Sequence, residues 1–175
     1  MKKADFIIYE DSKNNIYDTE RNAKAIVNLL KEKGEKVSTA ESCTGGLIAG
    51  SITSVSGASD VFDRGYVTYA NSAKEELLGV KKETLDTFGA VSADTAYEMA
   101  KGAAKAGNAQ LGISVTGIAG PTGGTKEKPV GLVFIGLCYK EKIIVYEFYF
   151  TGDRKAVREG TVNMALLKAA EIIKP

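Results

Sequence analysis

The sequence of 175 residues contains no histidine. This absence excludes Ser-His-Asp and Cys-His catalysis, and it excludes ordinary imidazole-ligated metal sites. Any acid–base chemistry must therefore come from Lys, Tyr, Asp, Glu, Cys or Thr side chains. Cysteine is also scarce, since the chain has only Cys43 and Cys138. Two cysteines do not make a disulfide scaffold, so we expect a protein of the reducing cytoplasm.

Long apolar runs and an excess of one charge are missing as well. No apolar segment approaches the roughly 20 residues that span a bilayer, and the first ten residues lack the apolar stretch and cleavage pattern of a signal peptide. The net charge is +1, from 23 basic and 22 acidic side chains. A nucleic-acid binder needs a concentrated basic surface instead. We therefore expect a small-molecule substrate, with no nucleic acid and no membrane as partner, and a homodimer as the commonest assembly for such a protein.

The composition is that of an ordinary globular protein, with 44% hydrophobic and 26% charged residues. Predicted helices alternate with predicted strands, and one hairpin follows near the end of the chain. This order predicts an α/β fold, a three-layer α/β/α sandwich with a mixed, mostly parallel sheet and one C-terminal β-hairpin. We assign residues 1–18 to an N-terminal extension, with a short edge strand at Phe6 to Tyr9, and residues 19–175 to one domain.

The predicted elements follow from apolar periodicity, caps and glycine stops. The predicted strands are Val37 to Ala40, Val61 to Tyr69, Leu111 to Thr116, Val130 to Tyr139 and Lys142 to Phe150. Five helices are predicted. The first is capped by Thr19 and ends at Gly34, and the second runs from Leu47 to Thr53. The third is capped by Asn71 and ends at Leu78, the fourth is capped by Ser92 and runs from Ala93 to Ala106, and the long fifth helix is capped by Asp153.

Two polar segments follow predicted strands, where binding sites of α/β sheets usually lie. The first places Ser42 before the amides of Thr44, Gly45 and Gly46, which suit an oxyanion or a phosphate at a helix start. A plain serine cap is an equally good interpretation. The second segment has Tyr69 at a strand end and Lys74 just inside a helix. A lysine held away from water can act as a base, although most lysines are solvated.

Two further segments could grip a polar ligand. Thr116 ends a strand and is followed by a loop, Gly117 to Gly124, that is long for a purely structural role. Arg154 and Arg158 lie one helical turn apart after Gly152, and an arginine fork suits a phosphate or a carboxylate. Solvated arginines beside a helix cap are as good an interpretation of this last segment.

Taken together in this order, four segments resemble the C-terminal domain of the CinA family. They are Thr39-Ala40-Glu41-Ser42-Cys43-Thr44-Gly45-Gly46, Gly65-Tyr66-Val67-Thr68-Tyr69-Ala70-Asn71-Ser72-Ala73-Lys74, Val115-Thr116-Gly117-Ile118-Ala119-Gly120-Pro121 and Gly152-Asp153-Arg154. The resemblance runs from about Thr19 to the end of the chain. Nothing in the sequence matches the N-terminal domain of full CinA proteins, so the resemblance implies the stand-alone form.

The resemblance implies a nicotinamide-nucleotide amidase, which hydrolyses the carboxamide of nicotinamide mononucleotide (NMN) to nicotinate mononucleotide and ammonia. Its nucleophile would be Ser42, its activating pair Tyr69 and Lys74, and Thr116 and an arginine would assist. It would require no metal and no organic cofactor. The residues expected to bind the pyridine mononucleotide are Glu41, Thr44, Gly45, Gly46, Asn71, Gly117, Gly120, Arg154 and Arg158.

Amide hydrolysis needs an activated nucleophile and a stabilised oxyanion. Without histidine, the remaining way to activate a serine nucleophile is a Ser–Lys or Ser–Tyr–Lys arrangement, a variant of the catalytic triad. Which of Tyr69 and Lys74 accepts the proton stays open. Two rivals also remain, a nucleotide-binding module without chemistry and a site in which Cys43 is the nucleophile. A short-chain dehydrogenase is excluded by the five-residue step from Tyr69 to Lys74 and by the lack of a Gly-rich dinucleotide fingerprint.

Overall fold

The computed structural model describes the backbone of residues 5–10 and the whole of residues 18–174. The strands are β1 Asp5–Glu10, β2 Val37–Glu41, β3 Phe62–Val67, β4 Leu111–Gly117, β5 Leu132–Tyr139 and β6 Lys142–Tyr149. The helices are α1 Thr19–Lys33, α2 Leu47–Thr53, α3 Asn71–Leu78, α4 Lys82–Phe88, α5 Ala93–Ala106 and α6 Arg154–Ile173, with a 3₁₀ turn at Ala58–Asp60. No described helix is long and apolar enough to cross a membrane.

The six described strands form one sheet in the order β1-β6-β5-β4-β2-β3. β5 runs antiparallel to its neighbours β4 and β6, whereas every other pair of neighbouring strands is parallel. The mixed, mostly parallel sheet with its C-terminal hairpin is thus confirmed. β1 lies at one edge beside β6, which confirms the short edge strand predicted from Phe6 to Tyr9.

Helices cover both faces of this sheet. On one face α1 packs against α6, and α6 packs against β4 and β5, with Ile26, Leu166 and Ile113 in the same buried cluster. On the other face α3, α4 and α5 pack together, and Met99 and Leu85 share a cluster with Ala40 of β2. The chain is therefore the three-layer sandwich that the alternation of elements predicts.

Most predicted caps are confirmed. Gly34 ends α1 in the left-handed region, while Ser92 and Asp153 accept hydrogen bonds from the backbone amides of Thr95 and Ala156. Both fix the first turn of a helix, as serine and aspartate caps do.

Two predicted caps were wrong. The side chain that caps α1 is Asp18, which accepts from the Arg21 amide, so that Thr19 is the first helical residue. Ala70 precedes α3 without a side-chain cap, and Asn71 is its first helical residue.

Two predicted strands also have other bounds. β5 begins only at Leu132, because Gly131 at φ +95° breaks the extended backbone. β3 runs from Phe62 to Val67, so Tyr69 lies two residues beyond the strand and does not end it.

The sheet gathers the predicted segments at one edge. β2 and β4 are parallel neighbours whose last residues are Glu41 and Gly117, and β3 ends beside β2 at Val67. The loops that follow these strands must therefore leave the sheet side by side. Gly117 also permits close packing here, since a Cβ atom would lie 2.9 Å from the Val133 Cα atom.

Candidate active site

A cleft of about 300 Å³ opens where the loops after β2, β3 and β4 meet. All four segments singled out in the sequence contribute to its wall. The lining residues are Ser42, Cys43, Tyr69, Gly117, Ile118, Ala119, Gly120, Thr122, Gly123 and Arg154. The cleft thus lies beyond the carboxyl ends of the strands, where ligands usually bind in α/β sheets.

Lys74 lies behind Ser42 and is buried, with 1% of its surface exposed. Its ammonium donates to the Thr68 carbonyl at 2.8 Å and to the Tyr69 carbonyl at 3.3 Å, and its Nζ lies 3.4 Å from Ser42 Oγ. Burial lowers the pKa of Lys74, and an interaction with Cys43 opposes this shift only in part. The interpretation of Lys74 as a solvated surface lysine is therefore wrong, and a potential base lies beside the potential nucleophile.

Tyr69 takes a different position from the one expected of a partner of Lys74. Its side chain is 62% exposed, and its hydroxyl accepts a hydrogen bond from Arg154 Nη2 at 3.3 Å. It reaches Lys74 through its backbone carbonyl instead. Within the described chain, the side chain that hydrogen-bonds to Ser42 Oγ is that of Lys74.

The turn that carries Ser42 is held from two sides. The Ser42 amide donates to the Val115 carbonyl of β4 at 3.1 Å, which ties the turn to the sheet. From α6, Arg158 donates to the carbonyls of Cys43 and Thr44, at 3.1 and 2.8 Å. Arg158 was expected to bind substrate, but these two bonds commit its guanidinium to the backbone of the turn.

Glu41 was also expected to bind substrate, and the structure contradicts this. Its carboxylate is 1% exposed and accepts hydrogen bonds from the amides of Gly46, Ile48 and Ala49 at 3.0, 3.0 and 2.8 Å. It also accepts from the Thr44 hydroxyl at 2.7 Å. The carboxylate therefore neutralises the positive end of α2, where a substrate anion was expected to bind.

The expected oxyanion donors need the same correction. The Gly46 amide is bound to Glu41, and the Gly45 amide donates to the Ser42 carbonyl at 3.1 Å. Neither amide is free for a substrate oxygen, and the Thr44 side chain is likewise occupied. The amides of Cys43 and Thr44 are the donors of this turn that have no acceptor in the described part of the chain.

Two other expected site residues point elsewhere. Thr116 is 1% exposed, and its hydroxyl donates to the Ala90 carbonyl at 2.7 Å. It fixes the approach to α5, so the structure gives no support to an assisting role in catalysis. Asn71 is exposed on the first turn of α3 and is not among the residues that line the cleft. Gly117 and Gly120, in contrast, form part of the cleft wall as expected.

Arg154 bridges the cleft and a neighbouring cavity of about 450 Å³. Its Nη1 donates to the Gly120 carbonyl at 2.8 Å, and its Nη2 donates to the Tyr69 hydroxyl. The neighbouring cavity has Lys155 and Arg158 in its wall as further cations. The role of Arg154 as a phosphate ligand stays a prediction, and the cavity beside it adds Lys155 as a further cation.

Cys43 is a poor candidate for the nucleophile. Only 6% of the residue is exposed, and burial raises the pKa of its thiol to about 12. Reactive cysteines need the thiolate, which lowered pKa values favour. The thiol of Cys43 is protonated at neutral pH, and the geometry favours Ser42.

Sequence reasoning did not single out Thr68. Its backbone carbonyl makes the shortest of the three hydrogen bonds to Lys74, and the residue is fully buried. The residue type does not reveal that a backbone carbonyl will accept a hydrogen bond. The position of Thr68 directly after β3 was the one signal in the sequence that could have indicated this role.

Comparison with known proteins agrees with this architecture. Residues 19–173 match the family described as CinA C-terminal domain. The chain is 54% identical over 149 residues to a protein of Caldicellulosiruptor saccharolyticus described as competence-damage inducible, and 55% identical over 141 residues to a CinA-like protein of Kosmotoga olearia. These alignments cover 85% and 81% of the chain but 36% and 34% of the relatives, so the chain spans about a third of their length.

Solved structures show the same fold. The competence/damage inducible protein CihA of Agrobacterium tumefaciens is 47% identical with a TM-score of 0.84, covering 90% of this chain and 99% of its own. A competence-damaged protein (CinA) superfamily protein from Enterobacter cloacae is 31% identical with a TM-score of 0.87, covering 96% and 99%. The described fold and these similarities together show that the chain belongs to the CinA family and contains its C-terminal domain.

Proposed function

We propose that this CinA-family chain is an amidohydrolase that converts NMN to nicotinate mononucleotide and ammonia. The observation that carries the proposal is the buried Lys74, whose pKa burial lowers, with its Nζ 3.4 Å from Ser42 Oγ at the wall of a cleft. A lowered pKa leaves more of this lysine neutral near physiological pH than an exposed lysine, and a neutral amine can accept the serine proton.

The reaction then has two halves, formation of an ester to Ser42 and its hydrolysis, and Lys74 accepts and returns one proton in each half. Ser42 Oγ attacks the carboxamide carbon while Lys74 accepts its proton, and the tetrahedral intermediate forms. Lys74 next donates that proton to the departing nitrogen, so that ammonia leaves and an ester to Ser42 remains. The same amine, neutral again, takes a proton from a water molecule that attacks the ester carbon. It returns that proton to Ser42 Oγ as the ester C–O bond breaks and nicotinate mononucleotide leaves.

The intermediate's oxygen carries negative charge and needs donors close by. The unoccupied amides of Cys43 and Thr44 are the donors that the Ser42 turn offers for it. Arg158 supports this arrangement, because its bond to the Cys43 carbonyl fixes the peptide plane that carries the Thr44 amide. The Gly45 amide fixes the plane that carries the Cys43 amide, because it donates to the Ser42 carbonyl. Tyr69 contributes a wall of the cleft and a carbonyl for Lys74, and it has no proton-transfer step in this proposal.

The two adjacent cavities match the two ends of a mononucleotide. The carboxamide end would occupy the 300 Å³ cleft beside Ser42, and the phosphate would lie at Arg154 toward the 450 Å³ cavity. An arginine that already orients itself on Gly120 and Tyr69 is preorganised for such a contact. The chain covers about a third of the length of the relatives named above, so the activities of those whole proteins are no evidence for this binding mode.

The direct test is ammonia release by the purified chain from NMN, NAD and nicotinamide. We expect turnover of NMN and much weaker turnover of nicotinamide, which has no phosphate for Arg154. The alternative is a module that binds nucleotides and does no chemistry. Binding of NMN without any ammonia release would favour that alternative and refute the amidase.

A further inference from the structure

One cavity among the described residues lies away from Ser42 and is larger than the active-site cleft and the cavity beside Arg154. It has a volume of about 630 Å³, within the range of ligand pockets, and lies between α5 and the turn that joins β5 to β6. Gln110, in its wall, precedes β4, whereas Gly117 at the other end of β4 lines the active-site cleft. At about 3.3 Å per residue the two sites are about 20 Å apart. We call the first one the far cavity.

One face of α5 presents three functional side chains to the far cavity. Tyr97, Lys101 and Lys105 follow one another at four-residue steps and all line it. With a rise of 1.5 Å per residue, the row is about 12 Å long. Two lysines at this spacing repel each other and weaken a helix. Neither ammonium is within ion-pair distance of an acidic side chain in the part of the chain that the structure describes.

The other charges of this wall do not cancel the pair. Lys140 is bound to Glu35 by an ion pair, so these two charges offset each other. Glu141 lies on the β5–β6 turn and offers a carboxylate acceptor of the kind that binds sugar hydroxyls. Lys101 and Lys105 therefore leave this wall with a net positive charge that Glu141 reduces but does not cancel.

The floor of the far cavity is apolar. Ala104, Cys138 and Ile143 supply it, and Tyr97 stands at one end of the lysine row as a flat aromatic surface. Burial raises the pKa of the Cys138 thiol, so the floor carries no thiolate charge at neutral pH. Cations, an aromatic ring and an apolar floor within about 12 Å suit a phosphate joined to a flat ring system.

The backbone around the far cavity is also unusual. Asn108, Lys140 and Glu141 have φ values of 46°, 48° and 71°, and they are the non-glycine residues with positive φ in the described chain. All three line this cavity. Two-residue hairpin turns with both residues left-handed favour Asn-Gly, so Lys-Glu is an unfavourable choice for the turn alone. Strained backbone of this kind gathers at ligand sites.

We propose that the far cavity is a nucleotide-binding site separate from the Ser42 cleft. The phosphate lies between Lys101 and Lys105, the base packs on Tyr97 and the apolar floor, and Glu141 accepts from the sugar. This site stands apart from the proposed amidase, because none of its lining residues borders the active-site cleft.

Calorimetric titration of the whole chain with AMP tests the proposal. The variant is Lys101→Gln/Lys105→Gln, and the matched control is Lys24→Gln/Lys82→Gln, which removes two exposed lysines whose ion pairs lie away from this cavity. We expect the double variant to bind AMP at least about tenfold more weakly, because it loses two charge-assisted hydrogen bonds, and the control to bind as the wild type does. Equal affinity in variant and control, with circular dichroism unchanged, overturns the proposal, as does a wild-type chain that does not bind AMP.

Two further arms identify the site and the ligand class. Arg154→Ala removes the phosphate contact of the active-site cleft and is expected to leave a full AMP site, so loss of all AMP binding in this variant contradicts a second site. Tyr97→Leu is expected to weaken the binding of AMP and to leave the binding of inorganic phosphate unchanged. If phosphate alone binds as tightly as AMP, the site is a simple anion site and the nucleotide assignment fails. If adenosine, which has no phosphate, binds as tightly as AMP, the lysines do not bind the phosphate and the proposal fails.

Discussion

Replacing Lys74 with methionine separates its role in catalysis from its effect on stability. Methionine keeps most of the side-chain length and removes the ammonium that lies beside Ser42. If Lys74 is the general base, kcat should fall by about 10² to 10⁴, which corresponds to about 3 to 5 kcal/mol of transition-state stabilisation. KM should change little, because the lost interaction belongs to proton transfer. Lys74→Arg should not restore activity, since a guanidinium stays protonated.

The pH dependence gives an independent check with a defined sign. The pKa of Lys74 is lowered by burial in the folded chain, so the unfolded chain binds its proton more tightly. The free energy of unfolding should therefore rise with pH between the lowered pKa and the ordinary lysine value, and kcat should rise as the neutral amine forms. Methionine removes this rise, but it also leaves the carbonyls of Thr68 and Tyr69 without their donor, at about 1–3 kcal/mol each if they stay dry.

The assay is ammonia release from NMN across neutral and alkaline pH, with urea unfolding at the same pH values. Lys82→Met is the control, because Lys82 is exposed on α4 and its ion pair with Asp86 is a surface contact. The control should keep the wild-type rate and the pH dependence of stability. A folded Lys74→Met chain with near-normal kcat would refute the reasoning and leave Ser42 without a base.

Three other predictions follow from the site. Arg154→Ala should raise KM for NMN by about tenfold or more with a smaller change in kcat, since a phosphate contact is lost; steady-state kinetics check this, and an unchanged KM would remove Arg154 from the phosphate site. Glu41→Gln should lower the free energy of unfolding by about 1–3 kcal/mol, because the carboxylate accepts three amides and the Thr44 hydroxyl; urea titration measures it, and equal stability would contradict the capping role. EDTA should not reduce the rate, because the described residues include no group of three His, Cys, Asp or Glu that could hold a metal; loss that added Zn²⁺ or Mg²⁺ reverses would overturn this.

The sequence predicted the fold well because its signals were local and repeated. Alternating elements, glycine stops and the caps at Ser92 and Asp153 each specify one feature, and the sheet and helices agree with them. α4 was missed, since Leu85 and Phe88 are the only large apolar residues among its seven, and Phe88 is 44% exposed. Such a short helix shows no clear apolar stripe, so periodicity could not reveal it.

The candidate site was predicted less completely, because the sequence does not show which way each polar side chain points. Ser42 could be placed because it lies directly after β2, and Lys74 because it lies in the first turn of the helix that follows β3. Parallel strands bring such segments together. Glu41 and Thr116 lie at equally suitable positions, yet their polar atoms face the backbone of α2 and of Ala90. Neighbouring strand residues point to opposite faces, and a polar side chain near a site can serve the scaffold as easily as the substrate.

The most direct test of the proposed chemistry compares Ser42→Ala with Cys43→Ala on NMN. The two residues are neighbours at the cleft wall, so each variant serves as the control for the other. Circular dichroism and urea unfolding would first show that both are folded. Ammonia release should vanish in Ser42→Ala, because the hydroxyl that forms the ester is gone, and it should remain substantial in Cys43→Ala. Turnover by Ser42→Ala, together with its loss in Cys43→Ala, would contradict the serine mechanism.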